Sequence, residues 1–252
     1  MSNTVVAVKN LSTVIKDADV QAALPAFQTQ VTRDFAASDW GIDAKLVFVP
    51  HGGKTPQGAW LLGIFDNADQ AGALGYHDLT RSGLPLGKVF AKTTIDDGGL
   101  WTVTFSHELL EMLADPNINL CAFDEEAGRL YAYEVCDAVE ADNLGYDIDG
   151  VTVSDFVLPS WFEPMHVSKN ERFAFKSHVT APFQLLPGGY IGYFDLEGGR
   201  GWQQLTAREA SDARNIMARR VGPTPYIARP RVGSRRERRR TPKGQWSTSS
   251  AE

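Results

Sequence analysis

Apolar and polar positions follow two rhythms along the first half of this chain. Thr4-Val5-Val6-Ala7-Val8-Lys9 is a short β-branched run closed by Asn10, the pattern of a first strand. Val20, Leu24, Phe27, Val31 and Phe35 then recur at three- and four-residue steps, which predicts an amphipathic helix with Asp17 or Asp19 at its start. Pro25 either kinks that helix or marks a delayed start, because its ring removes a backbone donor and crowds the preceding turn. Lys45-Leu46-Val47-Phe48-Val49 reads as a second strand. The continuous apolar run from Ala59 to Asp66 predicts a central strand buried on both faces. Residues 73–78 form a weaker strand expected at the sheet edge, and 88–93 one more. Residues 100–114 then read as a helix that Pro116 ends.

The second half is punctuated more often. Residues 120–123 and 130–137 flank the polar stretch 124–129 as a hairpin, and 146–153 repeats the device around Asp149-Gly150. The aromatic, proline-broken segments 156–162 and 180–190 are expected to wrap the domain rather than extend the sheet. Thr206-Ala207-Arg208-Glu209 is a capping box opening a last helix that ends at Arg219-Arg220. From Arg229 onward apolar periodicity stops and Arg, Pro, Gly and Ser dominate, so disorder is expected. The chain divides into a folded domain at 1–228 and a tail at 229–252.

Length and composition narrow the class. A chain of 252 residues with 43% hydrophobic side chains buries a real core in one large or two small domains. No apolar run is long enough to span a bilayer, and the start lacks a basic n-region and a long apolar h-region. A soluble protein of the cytoplasm or of a virion, without a signal peptide, is expected. Cys121 and Cys136 lack C-x-x-C spacing and read as buried thiols, not a zinc ribbon or a disulfide framework. The net charge of −6 conceals an asymmetry: residues 229–252 carry +6, leaving −12 on the rest. The run Arg235-Arg236-Glu237-Arg238-Arg239-Arg240 is either a solvated tail or a contact for nucleic acid, acidic protein or a membrane surface.

The chemistry concentrates in Ser106-His107-Glu108-Leu109-Leu110-Glu111. Residues four apart share a helix face, so His107 and Glu111 reach a common point with Glu108 beside them. This is the geometry of H-E-x-x-H, in which positions one and five hold a metal and position two handles a water proton, with Glu in place of the second His. The plainer reading is an amphipathic helix with solvated Glu residues and a capping or packed His107. Glu134 or Asp137, returning after the hairpin, is the expected third ligand, and Asp137 or Asp115 the group orienting His107 from behind. Spacing leaves both choices open. One His with two carboxylates is a hard donor set that takes Zn²⁺ and admits Mn²⁺ or Ca²⁺. An oxyanion donor is also needed, and His178 and Tyr190 are candidates from the aromatic segment. His51, His77 and His166 are expected in loops or on the surface. Gly53-Lys54-Thr55 is not a phosphate loop, since Phe48 stands where its first glycine belongs. Asp147 and Asp149 read as a turn and not a calcium loop, because Gly145 occupies the first ligand position.

With these motifs placed, the order strand, helix, strands, edge strand and H-E helix resembles the zincin metalloproteases. H-E-x-x-E-x-x-x-D-P at 107–116, Glu134-Val135-Cys136-Asp137, Asp149-Gly150 ahead of 153–160, and Ala181-Pro182-Phe183 ahead of Pro187-Gly188-Gly189-Tyr190 are also similar to EXORDIUM-like (phosphate-induced) proteins and bacterial and phage relatives, over roughly residues 1–200. The zincin resemblance implies an α+β fold. Its mixed, twisted sheet would put an edge strand over the cleft and pack against an N-terminal helix and a metal-site helix, with an irregular C-terminal part. It puts His107 and Glu111 on zinc, Glu108 as general base, and Glu134 or Asp137 as the completing ligand, acting on a peptide or protein. The missing second His separates this chain from most active zincins. The alternative is a catalytically inactive binding or structural protein of that fold whose tail contacts an acidic partner.

Overall fold

The computed structural model describes residues 4–207 apart from 71, 126, 164–170 and 199–200. The basic tail, most of the helix expected from Thr206, and His166 lie outside the described residues. In chain order the elements are β1 (Val5–Asn10), α1 (Asp17–Thr29), β2 (Lys45–Val49), β3 (Trp60–Phe65), β4 (Gly75–Leu79), β5 (Pro85–Phe90), α2 (Ala91–Asp96) and α3 (Trp101–Ala114). There follow β6 (Cys121–Asp124), β7 (Arg129–Ala132), β8 (Tyr146–Ile148), β9 (Val151–Val153), β10 (Tyr190–Asp195) and β11 (Trp202–Thr206).

This is an α+β arrangement built on a mixed sheet. The first sheet runs β2-β1-β3-β5-β4, with β1, β2, β3 and β5 parallel and β4 antiparallel at the edge beside β5. Parallel neighbours need long crossovers, and α1 supplies the one between β1 and β2. The edge position expected for 73–78 is thus occupied by β4, and the expected central strand is β3. Its burial differs from expectation. Leu62 and Ile64 face the main core while Leu61 packs only against the small cluster of Ala7, Val49 and Ala59, so β3 is deeply buried on one face. No second helical layer covers the other side among the described residues, which is why a continuous apolar run did not report two covered faces.

α1 begins at Asp17, where the Asp19 carboxylate accepts the Lys16 N–H at 3.0 Å. Pro25 is therefore interior to the helix rather than its start. The helix widens into a π-turn at Gln30–Phe35, and Val20, Phe27, Val31 and Phe35 are fully buried, the face that the three- and four-residue steps predict. Phe27 stacks on Phe105 of α3 with centroids 4.2 Å apart and meets Trp101 edge-on at 6.2 Å. This aromatic contact seats α3 on α1 and fixes its rotation. Truncating such a buried ring leaves a cavity, so Phe27→Ala is expected to lower unfolding free energy by about 3–5 kcal/mol, read from the urea midpoint at unchanged m.

Two expectations are corrected. Residues 91–93 open the short helix α2 instead of continuing a strand, and 134–137 leave the hairpin as a turn running into a 3₁₀ turn at Asp137–Val139. The sequence pattern also gave no warning of β10 and β11, which join β7 and β6 in a second, antiparallel sheet of order β11-β10-β7-β6. The β8–β9 hairpin turns at Asp149 and Gly150, both with positive φ, as the Asp-Gly pair predicts. Neither cysteine forms a disulfide; Cys136 is buried and Cys121 half-buried. Among the described residues no helix is long and apolar enough to cross a membrane.

Candidate metal centre

α3 is buried on every side from Phe105 to Ala114, which is how a helix reads when it runs beneath a sheet instead of along a surface. It packs across β4 and β5, against β9, and beside α2. Its polar residues therefore cannot be solvated helix decoration. His107 is 8%, Glu108 3% and Glu111 0% exposed, and the plainer reading of solvated glutamates fails on those numbers. Ionised groups at such depth require compensation by charge or hydrogen bonds.

The geometry supplies part of it. His107 Nε2 lies 3.2 Å from Glu111 Oε1 and 3.2 Å from Asp137 Oδ1. Burial disfavours a charged imidazole here, but the Glu111 and Asp137 carboxylates outweigh it and lift the His107 pKa well above 6.5. Glu111 Oε1 also accepts the backbone N–H of Cys136 at 3.3 Å, tying the helix to the 134–137 turn. The same surroundings hold Cys136 as a neutral thiol: burial pushes its pKa well above 9.0.

β4 completes the floor. Alternation along a strand puts Gly75 and His77 on one face, and that face meets α3. A Cβ on Gly75 would lie 2.7 Å from Glu108 Cγ, so the bare glycine is what lets Glu108 run under the edge strand. Two residues on, His77 is 1% exposed, with Nδ1 at 3.7 Å from Glu111 Oε2 and 3.8 Å from Glu108 Oε2. The expectation of a loop or surface residue is thus wrong for His77, although it holds for the exposed His51. Nothing local marks His77 in the sequence. Its role depends on an antiparallel edge strand crossing α3, a tertiary fact.

Among the described residues, three groups of ligand-type atoms come within 4.8 Å of one another: His107 with Glu108 and Glu111, His107 with Asp137 and Glu140, and His77 with Glu111 and Glu134. Glu134 thus groups with Glu111 and His77, and Asp137 with His107 and Glu140. Glu140 is an addition that the sequence reading missed. The 3₁₀ turn between Asp137 and Val139 repeats every three residues, which brings Glu140 back beside Asp137. Asp115 does something else with the carboxylate contacts the structure resolves. It accepts the N–H groups of Asn119 and Leu120 at 2.9 and 3.2 Å and so holds the chain after α3.

Above this floor lies an open cleft of about 1150 Å³ between the start of β4 and the second sheet. Glu108, Glu134 and Asp137 line its base and Tyr190 its wall; among the described lining residues seven are Asp or Glu and none is Lys or Arg. His178 is not part of that lining. Its Nδ1 sits 3.2 Å from Asp155 Oδ2, and Asp155 Oδ1 accepts the N–H groups of Phe156 and Lys176. Burial raises Asp155 to about 6, against the opposing pull of those bonds and of His178. The folded state then binds the extra proton between the ordinary value of 3.8 and about 6, so stability falls as pH rises through that window. Asp155→Asn is expected to flatten this part of the stability profile, by roughly 2–3 kcal/mol, in urea unfolding at pH 4 and pH 7.

Two imidazoles and five carboxylates, all buried except the half-buried Glu140, form a donor set suited to a divalent cation: nitrogen and oxygen ligands only, with negative charge in excess. No protein-family model matches the chain, and no curated protein or solved structure matches it.

Proposed function

We propose that this protein is a metal-dependent hydrolase acting on an extended peptide, with a zincin-like arrangement of edge strand, cleft and metal helix. The observation that carries the reading is the position of Glu108: buried beside His107 and Glu111, yet lining a cleft flanked by β4, the end strand of the first sheet among the described residues. A general base must stand within reach of a water that also touches the electrophile, and this carboxylate has a cation site at its side and a substrate groove above it.

His107 and Glu111 from α3, with Asp137 from the following turn, hold the cation in this reading. The cation supplies polarisation of the peptide carbonyl and a lower pKa for water. Glu108 removes one proton from the water as its oxygen bonds to the carbonyl carbon. It then returns that proton to the amide nitrogen as the C–N bond breaks, which leaves a carboxylic acid and an amine. Tyr190, which lines the cleft, is the residue this reading assigns to the developing oxyanion. β4 ends the first sheet among the described residues, and an extended peptide adds to an end strand of that kind as one more strand. Asp96, Asp97 and Asp142, the acidic lining residues outside the proposed cation site, favour peptides with basic residues.

The test is metal uptake. The full chain, stripped with a chelator and dialysed against Zn²⁺, is expected to retain at least one equivalent of metal and to melt at higher temperature than the stripped protein. A chain that returns from dialysis without metal and with an unchanged melting point overturns the reading.

A further inference from the structure

We infer that the centre holds two divalent cations, bridged by Glu111, and that His77 on the edge strand is a ligand of the second. This rests on the proposed metal-dependent reading and adds to it a second site that the H-E-x-x-E motif does not contain.

One carboxylate, that of Glu111, faces two ways. Glu111 Oε1 is 3.2 Å from His107 Nε2, while Oε2 is 3.7 Å from His77 Nδ1, so its two oxygens address two different imidazoles. A carboxylate whose two oxygens face separate imidazoles is one that can bridge two ions. The remaining donors divide in the same way. Asp137 and Glu140 stand with His107, Glu134 stands with His77 and Glu111, and within each group the ligand atoms lie within 4.8 Å. Each half thus offers one imidazole nitrogen and at least two carboxylates, which is the ligand number that a first-row divalent cation takes from protein when it keeps a water.

Backbone geometry explains the division. Asp137 and Glu140 are three apart on a 3₁₀ turn and point the same way, whereas Glu134 precedes the turn. Glu134 therefore approaches Glu111 from the side of β4. Charge points in the same direction. The five carboxylates Glu108, Glu111, Glu134, Asp137 and Glu140 face two imidazoles, and one divalent ion leaves three negative charges at a site where Glu111 is wholly buried. A second ion brings that excess to one. Paired cations in hydrolytic centres stand about 3.5–4 Å apart, a span that one carboxylate bridges. Glu108 touches both halves, grouped with His107 and 3.8 Å from His77, so its carboxylate lies where a water shared by the two ions would be deprotonated.

Stoichiometry and magnetic coupling test this without reference to activity. The stripped full chain is titrated with Mn²⁺, bound metal is counted by equilibrium dialysis, and the loaded protein is examined by electron paramagnetic resonance. Two equivalents and an exchange-coupled spectrum are expected. His77→Ala and Glu134→Gln are each expected to hold one equivalent with the spectrum of an isolated ion. Both variants leave His107, Asp137 and Glu140 in place, and if one of them does not fold the other still decides. One equivalent in the unaltered chain overturns the two-ion centre while leaving the metal-dependent reading standing. Two equivalents persisting in both variants overturns the assignment of His77 and Glu134. Binding of none overturns both readings together.

Discussion

Glu108→Gln is expected to reduce peptide hydrolysis by about 10²–10⁴-fold in kcat while leaving bound metal and melting temperature close to those of the unaltered protein. The reasoning is geometric. Gln has the size of Glu, so the close passage beneath Gly75, where a Cβ would stand 2.7 Å from the residue 108 side chain, is undisturbed. His107, Glu111 and Asp137 keep their mutual contacts. What is lost is a carboxylate able to take a proton from water and return it to the leaving nitrogen. A loss confined to KM would place Glu108 in substrate binding instead, and a loss of metal would place it in the ligand set.

Glu111→Gln is expected to have the opposite signature. Replacing groups that merely support a metal ligand costs 10–100-fold in affinity, so weakening a direct carboxylate ligand is expected to cost more than about 100-fold. The fold should tolerate the change in the metal-free state. Glu111 is fully buried among other acids, and Gln retains an oxygen for the Cys136 N–H now 3.3 Å away. Stripped protein is therefore expected to melt at the same temperature or higher, whereas the gain in melting temperature on adding Zn²⁺ should vanish. Titration calorimetry and a thermal melt with and without metal read the two effects separately. Equal destabilisation of stripped and loaded protein would make Glu111 a structural residue.

The parts of this centre that a single helix carries were legible in the sequence. The i, i+4 relation between His107 and Glu111 follows from helical repeat alone, and Pro116 fixes where α3 stops. The face of α1 made by Val20, Phe27, Val31 and Phe35 was legible for the same reason. The first sheet was partly legible: five strands were marked by β-branched or apolar runs, but which pair in parallel depends on crossovers that periodicity does not record. β10 and β11 escaped notice because Gly192 interrupts one and Gln203-Gln204 the other, which breaks the apolar signal of each.

Side chains contributed from elsewhere in the chain were the hardest to see. His77 lies 30 residues before His107 in a strand whose weak pattern marked it only as an edge. Glu134 and Asp137 were visible as a pair, yet spacing could not say that Glu134 groups with Glu111 and His77 while Asp137 groups with His107 and Glu140, because that depends on the 3₁₀ turn that begins at Asp137. Asp115 was a reasonable partner for His107 by proximity in sequence. In the structure the Asp115 carboxylate receives the amides of Asn119 and Leu120.

The central claim is chemical: that Glu108 and a cation at its side cut peptides in the acidic cleft. It is tested most directly by incubating the full chain with a mixed peptide pool in three states, zinc-loaded, chelator-stripped and stripped then reloaded, and identifying new termini by mass spectrometry. The account predicts cleavage in the first and third states, absence in the second, and a preference for sites flanked by basic residues. Cleavage that survives stripping, or a zinc-loaded chain that leaves every peptide intact, would contradict it.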